Sequence, residues 1–263
     1  MFERIVCLTE ETVETLYLLG EEQRIAGVSG YAVRPPRVRK EKPRVSAFIS
    51  ADFEKIVALK PDLVLTFSDL QADIVAELIR RNVEVHAFNQ RDLAGIFAMI
   101  RTLGSLIGVP LKAETLAASL ERRLEVARER SALLPRHPLV YFEEWDEPMI
   151  SGIRWVAELI EIAGGRECFP TLSERKNAKD RIVLAPDVIA AAPDIIIGSW
   201  CGKKFVPEKV AARAGFEAIP AVRDGWLREI KSTYILQPGP AALTDGLDAL
   251  VKIIGEWAEA KPA

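Results

Sequence analysis

Two kinds of apolar spacing alternate along this chain. Short unbroken runs occur at Ile5-Val6-Cys7-Leu8, Ile25 to Val28, Leu63-Val64-Leu65, Leu139-Val140-Tyr141-Phe142 and Ile195-Ile196-Ile197, and Val83 to Phe88 reads as a further strand. Such runs suit strands covered on both faces, as in a parallel sheet flanked by helices. Between them, apolar residues recur three or four apart. The longest such segment, Leu111 to Leu134, is fenced by Pro110 and Pro135 and carries Leu116, Leu120, Leu124 and Ala127 on one stripe, backed by Ala113 and Ala117. Its other face holds Glu121, Arg122, Arg123, Glu125, Arg128 and Glu129. The pattern predicts one helix, about 36 Å long at the usual helical rise.

The chain on either side of that helix says nearly the same thing twice. Ile56-Val57-Ala58-Leu59-Lys60-Pro61-Asp62-Leu63-Val64-Leu65-Thr66-Phe67 is matched by Val188-Ile189-Ala190-Ala191-Ala192-Pro193-Asp194-Ile195-Ile196-Ile197-Gly198-Ser199-Trp200. Each reads as a short helix, a Pro-Asp turn, an apolar strand and a closing aromatic. The expected fold class is α/β, with two lobes of mainly parallel sheet joined by one long bridging α-helix. The lobes would span residues 1–109 and 136–263, with the bridging helix at 110–135.

The remaining segments fill in around this frame. Thr9 is read as the cap of a helix running to Gly20, with Glu10 and Glu11 in its first turn. Arg34 to Arg44 is read as a basic loop, because its prolines oppose regular structure. It holds Arg34, Arg37, Arg39, Lys40, Lys42 and Arg44 against Glu41 alone, a local surplus of five positive charges on a chain of net charge −3. Helices are expected at Leu70 to Arg81, Asp92 to Ile107, Arg154 to Ala163 and Pro240 to Ala258. Glu143 to Pro148 is read as an acidic loop around Trp145, a strand is expected within Val222 to Trp226, and Tyr234 is placed in a loop.

Composition removes several function classes. The charge of −3 and the isoelectric point near 5.7 argue against nucleic acid as a partner. Cys7, Cys168 and Cys201 are odd in number and lack CxxC spacing, so neither a disulfide framework nor a zinc site is indicated. No apolar run approaches the roughly 20 residues that span a bilayer. Met1-Phe2-Glu3-Arg4 leads straight into the first strand, so a cytoplasmic monomer is expected as written, and a periplasmic or surface-anchored one if a leader was removed. His86 and His137 lie in unrelated contexts, and no GxSxG, P-loop, GxGxxG or HExxH occurs, so no catalytic residues, metal or cofactor are expected. Cys201, beside Trp200 and Gly202 at a strand end, reads as a small cleft-lining side chain, with a nucleophile or metal ligand as the alternative.

Tyr31, Phe67, Trp145, Trp200, Trp226 and Tyr234 all fall where strands are expected to run out. Ligands of open α/β sheets bind at those ends, and aromatics from two lobes suit a large, flat, partly apolar ligand.

Gly27-Val28-Ser29-Gly30-Tyr31 with Pro35-Pro36, Glu54-Lys55-Ile56-Val57-Ala58-Leu59-Lys60-Pro61-Asp62-Leu63-Val64, and Pro148 to Phe169 with Ser151-Gly152 and Gly164-Gly165 resemble the class III, helical-backbone substrate-binding proteins of ABC importers, most closely the vitamin B12-binding type. The resemblance covers nearly the whole chain. It implies a ligand held between two lobes by aromatics, with cobalamin or a related corrinoid as that ligand. It puts Tyr31, Pro35, Phe48 and Phe67 where corrin contacts lie, with Phe at positions 48 and 67 where the family has Trp. It also implies a polar pair at Asp224 and Arg228, and docking of an ABC permease by Glu54 and Glu208. Alternatives stay open: heme with Tyr31 or Tyr234 on the iron, a ferric siderophore clasped by arginines, or an intracellular enzyme or regulator that uses the cleft with Cys201.

Overall fold

The computed structural model describes residues 1–260. Its chain divides into two compact units, Met1–Ser119 and Leu120–Ala263. The division falls inside the long helix rather than at its ends.

The first unit is a five-stranded parallel sheet. Its strands are β1 (Ile5–Cys7), β2 (Ile25–Ser29), β3 (Arg44–Ser46), β4 (Leu63–Phe67) and β5 (Val85–Phe88), in the order β3-β2-β1-β4-β5. The helices are α1 (Glu10–Leu18), α2 (Val38–Glu41), α3 (Phe53–Ala58), α4 (Ala72–Arg80) and α5 (Leu93–Leu106), followed by α6 (Pro110–Ser131). β1 and β4 are buried at every position, as unbroken apolar runs require. Val6, Leu8, Val45, Ile56, Val64, Ile74 and Leu78 form one packed cluster on this sheet. α5 and α6 cross closely because the crossing residues are small. A Cβ on Gly104 would lie 2.2 Å from that of Ala113.

The second unit carries the other sheet. β6 (Leu139–Asp146) pairs in parallel with β9 (Ile195–Gly198) and β8 (Arg166–Glu167), and antiparallel with β7 (Met149–Ser151). β10 (Leu227–Glu229) adds in parallel to β9. Its helices are α7 (Arg154–Ile162), α8 (Pro170–Ser173), α9 (Ala185–Ala191), α10 (Pro207–Ala211), α11 (Pro220–Arg223), α12 (Ser232–Ile235) and α13 (Leu247–Glu259). Gly198 ends β9 because the Phe205 ring lies against the backbone there. A Cβ at that position would sit 1.8 Å from the ring.

The fold is therefore α/β, two units of mainly parallel sheet with one long helix running from the first into the second. The repeat strands β4 and β9 belong to different sheets. No helix among the described residues is long and apolar enough to cross a membrane.

Five local expectations need correction. The basic segment is not a plain loop, since α2 forms over Val38–Glu41 once the prolines are passed. Thr9 occupies the cap position of α1 but does not cap it; its hydroxyl donates to Glu11 Oε1 at 2.7 Å instead. The acidic loop around Trp145 is strand, because β6 continues to Asp146 and folds back onto β7 as a hairpin. Pro220 starts the helical turn α11, so the following strand begins only at Leu227. Tyr234 lies in the short helix α12.

Candidate functional site

In the first sheet the strand order reverses between β1 and β4, which opens a crevice at their carboxyl ends. The turn that follows β3 reaches over this edge. Ala47 N donates to Ser50 O at 2.8 Å and Asp52 N to Val45 O at 2.8 Å, so Phe48 and Ile49 form the tip of a tight reverse turn. Gln71 holds that tip in place. Its side-chain amide donates to Phe48 O at 2.7 Å and Leu8 O at 3.3 Å, and its oxygen accepts from Phe67 N at 2.9 Å. One buried amide thus joins the ends of β1 and β4 to the turn. Nothing in the spacing around Gln71 distinguished it from an ordinary polar helix residue.

The result is an apolar ledge. Ile49 is 73% exposed, Leu70 60% and Tyr31 54%, with Phe48 half-buried among them. Ile49 and Leu70 escaped the sequence reading because a lone aliphatic in a turn or at a helix start carries no pattern. Phe67 does not belong to the exposed surface: it is buried, with the Arg91 guanidinium 5.1 Å from its ring centre. Pro35 is half-buried and follows a cis peptide bond.

Behind the ledge, the start of α1 carries three largely buried acids, Glu10, Glu11 and Glu14. Burial, reinforced by the carboxylates of Glu11 and Glu14, pushes Glu10 up to about 8. Burial takes Glu11 up to about 7 against the hydrogen bond from Thr9. Arg34 pairs with Glu14 at 2.8 Å.

The carboxyl edge of the second sheet is polar and aromatic. Trp145 is half-buried, its indole N–H donates to Glu147 O at 2.8 Å, and the Lys203 ammonium lies 4.1 Å from its ring centre. Lys203 also pairs with Asp146. Cys201 is exposed in the turn after β9, and Tyr234 is half-buried with the Lys231 ammonium 5.9 Å from its ring centre.

Trp200 was expected on this surface and lies beneath it. It is 3% exposed within the core cluster of Val183, Ile196, Phe205 and Phe216. Its indole N–H donates to Glu143 Oε1 at 3.0 Å. Glu143 is fully buried and also accepts from Tyr141 at 3.1 Å and from both Arg213 nitrogens at 2.6 and 2.9 Å. Nearby, Arg181 is 2% exposed and grips Glu144 at 2.6 and 3.2 Å. Sequence reading placed both acids in an acidic loop around Trp145.

Three further expected contacts lie elsewhere. Trp226 and Asp224 precede β10, at the opposite end of the strand from the carboxyl edge. Asp224 and Arg228 do not pair. Asp224 accepts from Arg223 at 2.9 and 3.1 Å, while Arg228 donates to the carbonyls of Gly225 and Leu227 and lies 4.6 Å from the Trp226 ring centre. The late start of β10 is the cause, and it leaves Lys231, Ser232 and Tyr234 just past the carboxyl end of that strand. Glu54 is exposed on α3 and pairs with Arg81 at 2.7 Å; Glu208 is exposed at the start of α10. No group of His, Cys, Asp and Glu suited to a metal ion occurs among the described residues.

A profile of the periplasmic binding protein family matches residues 5–234. The chain belongs to that family. Among sequences, this periplasmic binding protein is 23% identical over 247 residues to a vitamin B12-binding protein of Vibrio vulnificus, covering 92% of this chain and 86% of that protein. Among solved structures, it matches the periplasmic vitamin B12 binding protein of Vibrio cholerae with a TM-score of 0.77 at 21% identity, over 98% of this chain and 99% of that one. It matches a periplasmic heme binding protein from Pseudomonas aeruginosa with a TM-score of 0.83 at 22% identity, over 100% and 95%. These likenesses bear out the family resemblance and the fold. A periplasmic binding protein is a substrate-binding protein, and this chain is read as one.

Proposed function

We propose that the protein binds a corrinoid, cobalamin or a close relative, through the carboxyl edges of its sheets. The observation that carries this is the ledge of Tyr31, Phe48, Ile49 and Leu70. Large apolar side chains left open to water near the strand ends mark a binding surface, and a flat, partly apolar macrocycle suits them. Trp145, Cys201 and Tyr234, at the carboxyl edge of the second sheet, are proposed as further ligand contacts. The names of its sequence relatives point to the same ligand class.

Titration calorimetry and visible absorbance against cyanocobalamin, dicyanocobinamide, hemin and ferric siderophores test the reading. A corrinoid should bind tightest, and Phe48→Ala should weaken it by about 1–3 kcal/mol if the ring is a central anchor. Tighter binding of hemin or of a siderophore would overturn the corrinoid assignment. Heme is the second reading, favoured by the exposed side chain of Tyr31 and by the heme-binding proteins among its structural relatives. In that case Tyr31→Phe should abolish the charge-transfer band of a phenolate-ligated iron.

We further propose that Glu54 and Glu208 dock an ABC permease. The Glu54 side chain is 84% exposed, so its bond to Arg81 is open to exchange for a partner's arginine. Glu54→Ala with Glu208→Ala should leave ligand affinity unchanged and abolish ligand-stimulated ATPase activity of the reconstituted transporter. Unchanged stimulation would remove both residues from docking.

A further inference from the structure

Of the six cations between Arg34 and Arg44, three are engaged within the protein. Arg34 pairs with Glu14 at 2.8 Å, Arg37 with Glu22 at 3.0 Å, and Lys42 donates to Ile25 O at 2.9 Å. Arg39 lies within electrostatic reach of the Glu10 carboxylate. Arg44 is exposed and meets no carboxylate among the described residues. Its side chain runs past Gly30, where a Cβ would come within 4.0 Å of Arg44 Cδ, so it lies beside Tyr31 and the ledge.

Arg44 also borders a groove of about 350 Å³ on the flank of the Phe48-Ile49 turn, with Ser46, Ala47, Ser50, Asp52 and Lys55. Ser46 lines this groove and is half-buried, but its hydroxyl points away from solvent and has no hydrogen-bond partner, although the backbone carbonyl of the same residue accepts from Gly30 N at 2.7 Å. A buried hydroxyl without a partner costs free energy, which turning it about its side-chain bond into the groove and onto a ligand oxygen would recover. Asp52 is the opposing charge. It caps α3 by accepting from Lys55 N at 3.1 Å and pairs with the Lys55 ammonium at 3.1 Å, so it is already neutralised. That leaves Arg44 as the uncompensated charge at the groove.

Resting on the corrinoid reading above, we infer that this groove is a subsite for an anionic group, a carboxylate or phosphate at the edge of the bound macrocycle, held by Arg44 and the Ser46 hydroxyl. The ring lies on the ledge, and its charged substituent reaches across the turn into the groove. The subsite selects among flat ligands by what hangs from their rim. A guanidinium with a hydroxyl beside it presents several donors to an oxyanion, a pairing roughly twice as strong per bond as a neutral one.

The test uses three corrins with one ring and different rims: dicyanocobinamide with amides, cyanocobalamin with a phosphodiester, and dicyanocobyrinic acid with carboxylates. Calorimetry in dilute buffer should show cyanocobalamin or the carboxylate form binding at least tenfold tighter than cobinamide, and which of the two does so identifies the anion. The gap should close in 0.5 M salt and in Arg44→Gln, and narrow in Ser46→Ala, with cobinamide affinity unchanged. Arg44 is exposed, so circular dichroism should show Arg44→Gln folded. Equal affinity for all three corrins, or a gap that survives Arg44→Gln, overturns the subsite while leaving the corrinoid reading intact. If no corrin binds, that reading fails, and hemin against its dimethyl ester puts the same question to the groove. Equal or absent binding of that pair overturns the subsite as well.

Discussion

Arg213→Ala should lower the unfolding free energy by about 3–5 kcal/mol, the usual result of leaving one member of a buried ion pair without its partner. The geometry accounts for the size. Glu143 is fully buried, and two of its four hydrogen bonds come from Arg213. The others, from Tyr141 and Trp200, are neutral and do not neutralise a buried carboxylate. Glu143→Gln in the Arg213→Ala background should recover much of the loss, because a neutral amide accepts from Trp200 through its oxygen and donates to the Tyr141 hydroxyl through its nitrogen. Urea denaturation followed by Trp fluorescence would measure both. A loss below 1 kcal/mol in the single variant would show that the pair is solvated and the network loose. The same network carries a functional consequence. It fixes Trp200 as a core ring, so Trp200→Ala should act on stability before it acts on ligand affinity.

Stability should rise as the pH falls from 9 towards 5, and Glu167→Gln should flatten much of that rise. Glu167 is 6% exposed, accepts from Phe169 N at 3.2 Å through one oxygen, and leaves its other oxygen without a hydrogen-bond partner. Burial pushes it up to about 8. A carboxyl raised above its unfolded value stabilises the fold fully below the unfolded pKa, and that contribution is lost as the pH rises through the folded one. The slope is at most about 1.4 kcal/mol per pH unit for one proton, within the window from about 4.5 to about 8. Glu10 and Glu11, raised to about 8 and about 7, act with the same sign. Chemical denaturation of wild type and Glu167→Gln at each pH unit from 5 to 9 reads the difference directly. Parallel curves for the two proteins would show that Glu167 is ionised without cost.

Much of the architecture was legible from pattern. The runs around Val64 and Ile196 had to be covered on both faces, and the stripe from Ala113 to Ala127 between two prolines could only be one helix. Both are local rules, set by which neighbours along the chain share a face. The family resemblance rested on motifs of the same local kind, and the profile match to residues 5–234 bears it out.

The candidate site was legible only in part, for a physical reason. An aromatic at the end of a strand can turn outward or inward, and long-range partners decide which. Trp200 turned inward because Glu143, held in place by Arg213, accepts its N–H in the second sheet. Phe67 is covered by Arg91, and the turn bearing Phe48 and Ile49 is held by Gln71 from 23 residues away. Asp224 and Trp226 missed the carboxyl edge because Pro220 turned the preceding residues into helix and delayed β10. The sequence determined by itself where the central strands and the long helices run, since apolar periodicity is repeated along the chain. Only the tertiary structure decided which charges are spent internally and which, like Arg44, stay exposed, because each such choice depends on one contact between residues distant in sequence.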